Sequence, residues 1–283
     1  MNLKKLLIMF NNNLKMKTRR RIILEDDLET DENKQKIIAL FNNNIKGKKF
    51  KNKDKTHCGS EGQWLEKLMN LKSNNKNEPD IFGYEMKKES AKITFGDFSA
   101  SEYLFSKNKD TLDEINNKKI SMSRDDFIKT FGTINSIKNR YSWSGSCVPR
   151  YGIWNSCGQR LIFNDNLDLC AIYCYSKDER EYKNIFPSDI KNKEIIIAIW
   201  KEEKLREHIN KKFNKKGFFI CNKKDEVYDK ICFGKPFNFN FFVENIKTDI
   251  VIFDSGMYQG NSRNYSQFRS SNKFWNKLIV EEY

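Results

Sequence analysis

Apolar positions recur at helical spacing in some stretches of this chain and collect into short runs in others, and these two periods predict its elements. Ile37, Ile38, Leu40 and Phe41 mark a helix over Glu32–Phe41. Trp64, Leu65, Leu68, Met69 and Leu71 give a second helix one apolar face, and Ser60 with Gln63 has the S-x-x-Q form of a capping box at its start. A third helix is expected to begin near Ser123, with Asp125 and Asp126 in the first turn, and a fourth spans Glu202–Phe213. Runs bounded by polar or turn residues predict strands at Ile81–Lys87, Lys92–Phe98, Leu161–Phe163, Leu169–Tyr175, Glu194–Trp200, Gly217–Cys221 and Asp249–Phe253. The first two, separated by the polar turn Lys88–Ala91, read as a hairpin. Trp143–Arg160 is rich in Gly, Ser and aromatic residues and shows little periodicity.

Helices and strands interleave with no repeat and no Gly/Ser linker, which predicts one α/β unit. The mean hydropathy is low, but 22 Phe, 11 Tyr and 5 Trp among 283 residues supply enough apolar surface for a substantial core. The first 56 residues read as a separate charged segment, with KTRRR at 17–21, an acidic patch at 25–32 and KGKKFKNKDK at 46–55, and the folded unit is expected over 57–283. These charges fit a solvated surface or an arm that follows a polyanion.

Charge changes the picture most. The formal net charge is +14 and the pI about 9.3, so a polyanionic partner is expected, nucleic acid first and an anionic membrane surface second. Seven Cys occur without a CxxC pair and with only His57 and His208 for company, which argues against zinc and for free thiols in a reducing, cytoplasmic setting. The N-terminal MNLKKLLIMFNNN has too short an apolar run for a signal peptide, and no later run approaches a membrane span.

Within PDIFGYEMKKES (79–90), two carboxylates and an amine crowd a strand-like run. Glu85 and Lys87 share one face of a strand, while Phe82, Tyr84 and Met86 share the other. Asp80 has the wrong parity and needs a bend to join them, for which Gly83 is the natural place. Two converging carboxylates repel unless a cation sits between them, and Mg²⁺ suits a few carboxylate oxygens completed by water and phosphate. Lys87 could then orient a water or neutralise charge that develops on a phosphoryl group. Glu66 lies beside the apolar face of its helix, placed either as a supporting carboxylate or as an ordinary surface residue. In a chain this charged, D-x4-E-x-K also arises by chance, so the spacing alone is a weak signal.

GSEGQWLEKLMNLKSNNKNEPDIFGYEMKKESAKITFGDFS resembles the catalytic core of the PD-(D/E)xK nucleases, in the group of MutH, MvaI, BcnI and LlaMI, with Gly59, Gly62, Glu66, Asp80, Glu85 and Lys87 at the matching positions. A second stretch, DSGMYQGNSRNYSQFRSSNKFW, resembles the base-reading segment of the same group through Ser255-Gly256 and Phe268-Arg269. The histidines that some members carry between those pairs are absent, and Ser262, Arg263 and Asn264 stand there. The resemblance implies a restriction-endonuclease-like fold: a central mixed β-sheet flanked by helices, with two lobes forming a DNA cleft. A catalytic core falls at about 57–105 and a recognition part at about 249–275.

It further implies a type II restriction endonuclease that hydrolyses duplex DNA with Mg²⁺, leaves 5′-phosphates and acts at a CC-centre-GG type of site. Asp80, Glu85 and the backbone carbonyl of Met86 would hold the metal, with Lys87 and Glu66 completing the catalytic set. Ser255, Gly256, Tyr258, Arg263, Asn264 and Arg269 would contact DNA. A monomer is the expected state, and a companion DNA methyltransferase is the functional partner in the host. The alternatives are a MutH-like strand-nicking repair enzyme and a noncatalytic nucleic-acid-binding protein. Trp143–Arg160, with Arg150 and Arg160, reads either as a DNA-facing loop or as a packed irregular segment.

Overall fold

The computed structural model describes residues 32–51, 59–71, 77–117, 119–185, 191 and 193–283. The KTRRR run, most of the acidic patch at 25–32, the end of the 46–55 basic run, His57 and Cys58 lie outside the described residues.

A four-stranded mixed sheet separates two packed layers. Its order is β1 (Glu85–Lys88), β9 (Phe218–Lys224), β10 (Val227–Gly234) and β14 (Ile279–Glu282), with β1 parallel to β9 and the other pairs antiparallel. Because side chains alternate along a strand, both faces can be apolar only if both are covered. Tyr84, Met86, Phe219, Cys221, Ile231 and Phe233 pack against Ile37, Ile38 and Phe41 of α1 (32–44) and Leu65 of α2 (Ser60–Leu68). Phe218 and Ile220 face the opposite way, into a core shared with Phe213 of α5 (Glu202–Phe213) and Trp275 of α7 (Asn272–Asn276). Helix α1 is thus built into the fold, and a boundary at 56 does not separate it.

The remaining strands form three antiparallel sheets: β11 (Ile252–Ser255), β13 (Ser266–Ser271) and β2 (Lys92–Asp97); β12 (Met257–Tyr258), β5 (Arg140–Trp143) and β4 (Thr133–Asn135); and β3 (Glu102–Tyr103), β8 (Glu194–Trp200), β7 (Leu169–Asp178) and β6 (Cys157–Phe163). Helices α3 (Asp110–Ile115), α4 (Arg124–Phe131) and α6 (Phe239–Lys247) complete the elements used below. Aromatic rings knit these sheets into one core: Phe95 meets Phe242 and Trp275, Trp200 meets Phe253 and Phe268, and Trp143 meets Phe127. Each buried indole also finds an acceptor, with Trp200 Nε1 donating to the Phe98 carbonyl at 2.7 Å and Trp143 Nε1 to Gln159 Oε1 at 2.8 Å.

The structure corrects several expectations. Gly59, not Ser60, occupies the N-cap of α2, so Ser60 opens the helix and the capping box does not form. The expected hairpin is absent: β1 pairs with β9 and β2 pairs with β13, in different sheets. The link between them turns away because Glu89 Oε2 accepts the Lys223 N–H at 3.0 Å, which prolongs the attachment to β9. Phe82 is exposed at the turn and does not share the buried face of Tyr84 and Met86. Trp143–Arg160 is part packed and part open: Trp143, Cys147, Cys157 and Gln159 are buried, Gly145, Ser146, Gly152 and Ile153 are exposed, and Arg150 and Arg160 pair with Asp249 and Glu194. Six cysteines among the described residues are free and buried, and no described helix is long and apolar enough to cross a membrane.

Candidate active site

The local backbone brings Asp80 to Glu85. Ile81 and Tyr84 exchange backbone hydrogen bonds of 3.1 and 2.8 Å, and Phe82 and Gly83 between them both have positive φ, +49° and +84°. Two consecutive left-handed residues are the signature of a tight two-residue reversal, and glycine takes the second without strain. The turn folds Asp80 back along β1, where its Oδ2 accepts the Met86 N–H at 2.8 Å. Since β1 is the edge strand of its sheet, that N–H and the Met86 carbonyl point to the same unpaired side. The backbone of Met86 therefore joins the cavity while its side chain belongs to the core behind.

Glu85 and Lys87 share the other face of β1, as their spacing requires, and both are buried, at 3% and 6% exposure. Lys87 Nζ donates to Glu85 Oε1 at 2.9 Å and lies over the Phe213 ring at 5.3 Å. A second amine, Lys212 of α5, donates to the same oxygen, also at 2.9 Å. Glu85 Oε2, in contrast, is buried with no hydrogen-bond partner among the described residues. A buried, unpaired carboxylate oxygen is costly, so it marks a place where a further positive or donating group belongs.

Glu66, Asp80, Glu85, Met86, Lys87 and Lys212 line one cavity of about 550 Å³, to which Arg269 also contributes. Helix α2 is tied to the sheet through Glu61, which accepts from Lys88, Lys223 and the Tyr228 hydroxyl at 2.8–3.0 Å, and this anchorage aims Glu66 at the cavity. Burial and the nearby Glu85 charge push the Asp80 carboxyl up to about 6. Asp80 stands at the exposed rim of the cavity, so water moderates what that shift costs in stability. Burial, and then the Glu85 charge, also raise Glu66, while burial lowers the Lys87 amine against the pull of Glu85. Asp80 and Glu66 are thus held toward their neutral forms by burial and then by the Glu85 charge, which a cation would offset.

Among the described residues no three His, Cys, Asp or Glu side chains are grouped closely enough to enclose a metal ion. The donor set is therefore sparse: two carboxylates, one backbone carbonyl and open space, all oxygen. That composition suits a hard cation that keeps several waters, and the orphaned Glu85 Oε2 gives it a ligand.

The structure divides the DNA-contact residues named from the sequence. Arg269, on β13, lies at the carboxylate cavity, where it pairs with Asp254 at 3.0 Å and hydrogen-bonds Gln267. Ser255 is buried, its Oγ accepting the Met257 N–H, so it serves packing and is not free to meet DNA. Gly256 donates its N–H to the Tyr265 carbonyl at 3.2 Å. Tyr258 ends β12, and Arg263 and Asn264 belong to the loop between β12 and β13: Arg140 stacks on the Tyr258 ring at 3.4 Å, Arg263 pairs with Asp97 at 3.0 Å, and Asn264 Oδ1 accepts from Arg124 at 2.8 Å. Reading the sequence missed Lys212, Arg124 and Arg140. The only local signal for Lys212 was a lysine in the last turn of a well-marked helix, which the helix dipole already explains.

A protein-family model described as LlaMI restriction endonuclease matches residues 43–283. The type II restriction enzyme ScrFI of Lactococcus lactis subsp. cremoris is 40% identical over 241 residues, covering 80% of this chain and 88% of its own. Among solved structures, the restriction endonuclease MvaI in complex with its cognate DNA substrate superposes with a TM-score of 0.56 at 13% identity, over 90% of this chain and 97% of that one, which shows a shared restriction-endonuclease-like fold.

Proposed function

The chain belongs to the LlaMI restriction endonuclease family, and from that membership and the geometry of the cavity we propose that it is a Mg²⁺-dependent type II restriction endonuclease, cutting duplex DNA at a short site and leaving 5′-phosphates. The observation that carries this reading is the convergence of Asp80, Glu85 and Lys87 in one cavity with Glu85 Oε2 unpartnered. ScrFI is named a type II restriction enzyme, and MvaI was solved with cognate DNA, which supports duplex DNA as the substrate.

Asp80, Glu85 and the Met86 carbonyl are the residues that would hold Mg²⁺. When bound, the ion supplies Lewis-acid polarisation of the scissile phosphate and a more acidic water. Lys87, fixed by Glu85 and by the Phe213 ring, presents a buried ammonium at the cavity wall, where it can stabilise charge developing on the phosphate. Glu66 faces the same cavity and can hold a water or a proton beside Glu85. Arg269, at the cavity wall, is placed to grip the backbone near the reacting phosphate, whereas Tyr258 at the end of β12 and Arg263 and Asn264 on the loop that follows are suited to base edges. The CC-centre-GG target, a monomeric enzyme, a companion methyltransferase and a cytoplasmic location complete the proposal.

Incubating plasmid DNA with the protein and Mg²⁺, with Ca²⁺ in its place, or with chelator, and then sequencing the ends, tests the activity, its metal dependence and its target. Discrete double-strand cuts at one sequence, dependent on Mg²⁺, are expected. Nicks alone would favour the MutH-like reading, and no cleavage under any condition would leave only a nucleic-acid-binding protein.

A further inference from the structure

Arg124 occupies the first position of α4, where the positive end of a helix disfavours a cation. It is nevertheless held there, its side chain only 16% exposed, by a fork of hydrogen bonds into a loop far along the chain. Nε donates to Asn264 Oδ1 at 2.8 Å, Nη2 to the Arg263 carbonyl at 2.8 Å, and Nη1 to the Tyr258 carbonyl at 3.2 Å. Residues 259–265 have no strand pairing. Tyr141 holds Gln259 and Ser99 Oγ donates to the Asn264 carbonyl, while the guanidinium from α4 ties three points of the segment, Tyr258, Arg263 and Asn264, to one side chain.

A guanidinium only donates, and it stays charged at every working pH. Asn264 must therefore turn its side-chain oxygen to Arg124, which leaves its NH₂ as the group it can offer a ligand. An asparagine that reads adenine bidentately needs both its oxygen and its NH₂ for the base edge, whereas this one has its oxygen engaged. Arg263 is held alongside by Asp97 yet remains 64% exposed at its side chain.

We propose that Arg124 is a positioning residue for specificity: it holds the 258–264 segment in its reading conformation and turns the Asn264 NH₂ outward as a donor to an acceptor on a base edge in the major groove. This rests on the reading of the chain as a sequence-specific DNA-cleaving enzyme.

The test uses the full chain, with Ca²⁺ replacing Mg²⁺, in competition binding against the duplex identified from the cleaved ends, duplexes with single base-pair changes, and scrambled DNA. Arg124→Lys and Arg124→Met should keep wild-type affinity for scrambled DNA and melt within a few degrees of wild type, while cognate preference falls roughly 10- to 100-fold. Asn264→Asp retains an acceptor for Arg124 but loses the NH₂, so its preference should fall at one base pair only. Where that base pair presents a purine N7 as the acceptor, its 7-deaza analogue should weaken wild type and leave Asn264→Asp unchanged. Preference retained within twofold in Arg124→Lys, or in Asn264→Asp at every position, would overturn the proposal. So would parallel losses on cognate and scrambled DNA with a lowered melting temperature, the outcome for a mere structural brace. A wild-type protein that discriminates no sequence would overturn the functional reading as well, whereas discrimination surviving in the variants overturns this inference alone.

Discussion

Replacing Lys212 by Met separates two roles that one lysine plays at Glu85. Lys87 and Lys212 both sit 2.9 Å from Glu85 Oε1, so the substitution removes one of two charged hydrogen bonds to a buried carboxylate. Hydrogen bonds to charged groups contribute about 1.5–3 kcal/mol. The retained Lys87 and the partial exposure of Lys212, 15% at its side chain, place this one at the lower end, about 1–2 kcal/mol. For a domain of this size that corresponds to a fall of roughly 2–8 °C in melting temperature.

The effect on metal binding has the opposite sign. A divalent ion at the free oxygen of Glu85 would be repelled by an ammonium on the other, and like charges across one carboxylate exert several kcal/mol at an effective dielectric of ~20. The lysine stem can swing away, so only part of this is recovered on substitution, and an affinity gain of about tenfold, ~1.4 kcal/mol, is expected. The assay is melting temperature against Ca²⁺ concentration, because a ligand that binds only the folded state stabilises it in proportion to the logarithm of one plus the ratio of free ligand to Kd. Lys212→Met should start below wild type and rise at lower Ca²⁺. A variant whose curve runs parallel to wild type, or rises at higher Ca²⁺, refutes the picture of Lys212 as a cation holding the metal's place.

Asp80→Ala and Glu85→Ala should each abolish plasmid cleavage while leaving site-specific binding in gel shift largely intact, and a near wild-type rate in either would sink the metal assignment. Lys87→Ala should lower turnover more than affinity, which single-turnover kinetics at saturating DNA would show. Glu66→Gln should slow cleavage without lowering the melting temperature, and an unchanged rate would return Glu66 to the helix surface. Because the Asp80 carboxyl is pushed up to about 6, it is protonated and unable to ligate below that pH; Ca²⁺ affinity should climb from pH 5 to 7 and then level off in wild type, with a flatter rise in Asp80→Asn. The same raised value means that Asp80's contribution to stability of the metal-free protein is lost as pH rises from about 4 through 6, so chemical denaturation across that range should show Asp80→Asn less affected than wild type. Arg269→Ala, at the cavity wall, should cost affinity on cognate and scrambled duplexes alike if it grips phosphate, whereas a loss of about 1–3 kcal/mol on the cognate alone would make it a base reader.

The elements that carry their own period were legible in the amino-acid sequence. Helix Glu202–Phe213 and strand Glu194–Trp200 fall between the residues expected, and Ser123 caps α4 by accepting the Asp126 N–H. Asp80, Glu85 and Lys87 were legible for the same reason: a tight turn at Phe82-Gly83 and the twofold alternation of a strand are local, so neighbours in sequence decide them. Other features were decided only in three dimensions. That β1 pairs in parallel with β9 and not with β2 depends on which two-sided apolar strand can be covered on both faces, and this involves α1, α2, α5 and α7 together. The same packing carries Lys212 to Glu85, Arg269 to the cavity wall, and Arg124 to Asn264. A charged residue's period tells which face of its element it occupies, but the partner it meets there is set by how the apolar faces bury one another, and no spacing along the chain encodes that distance.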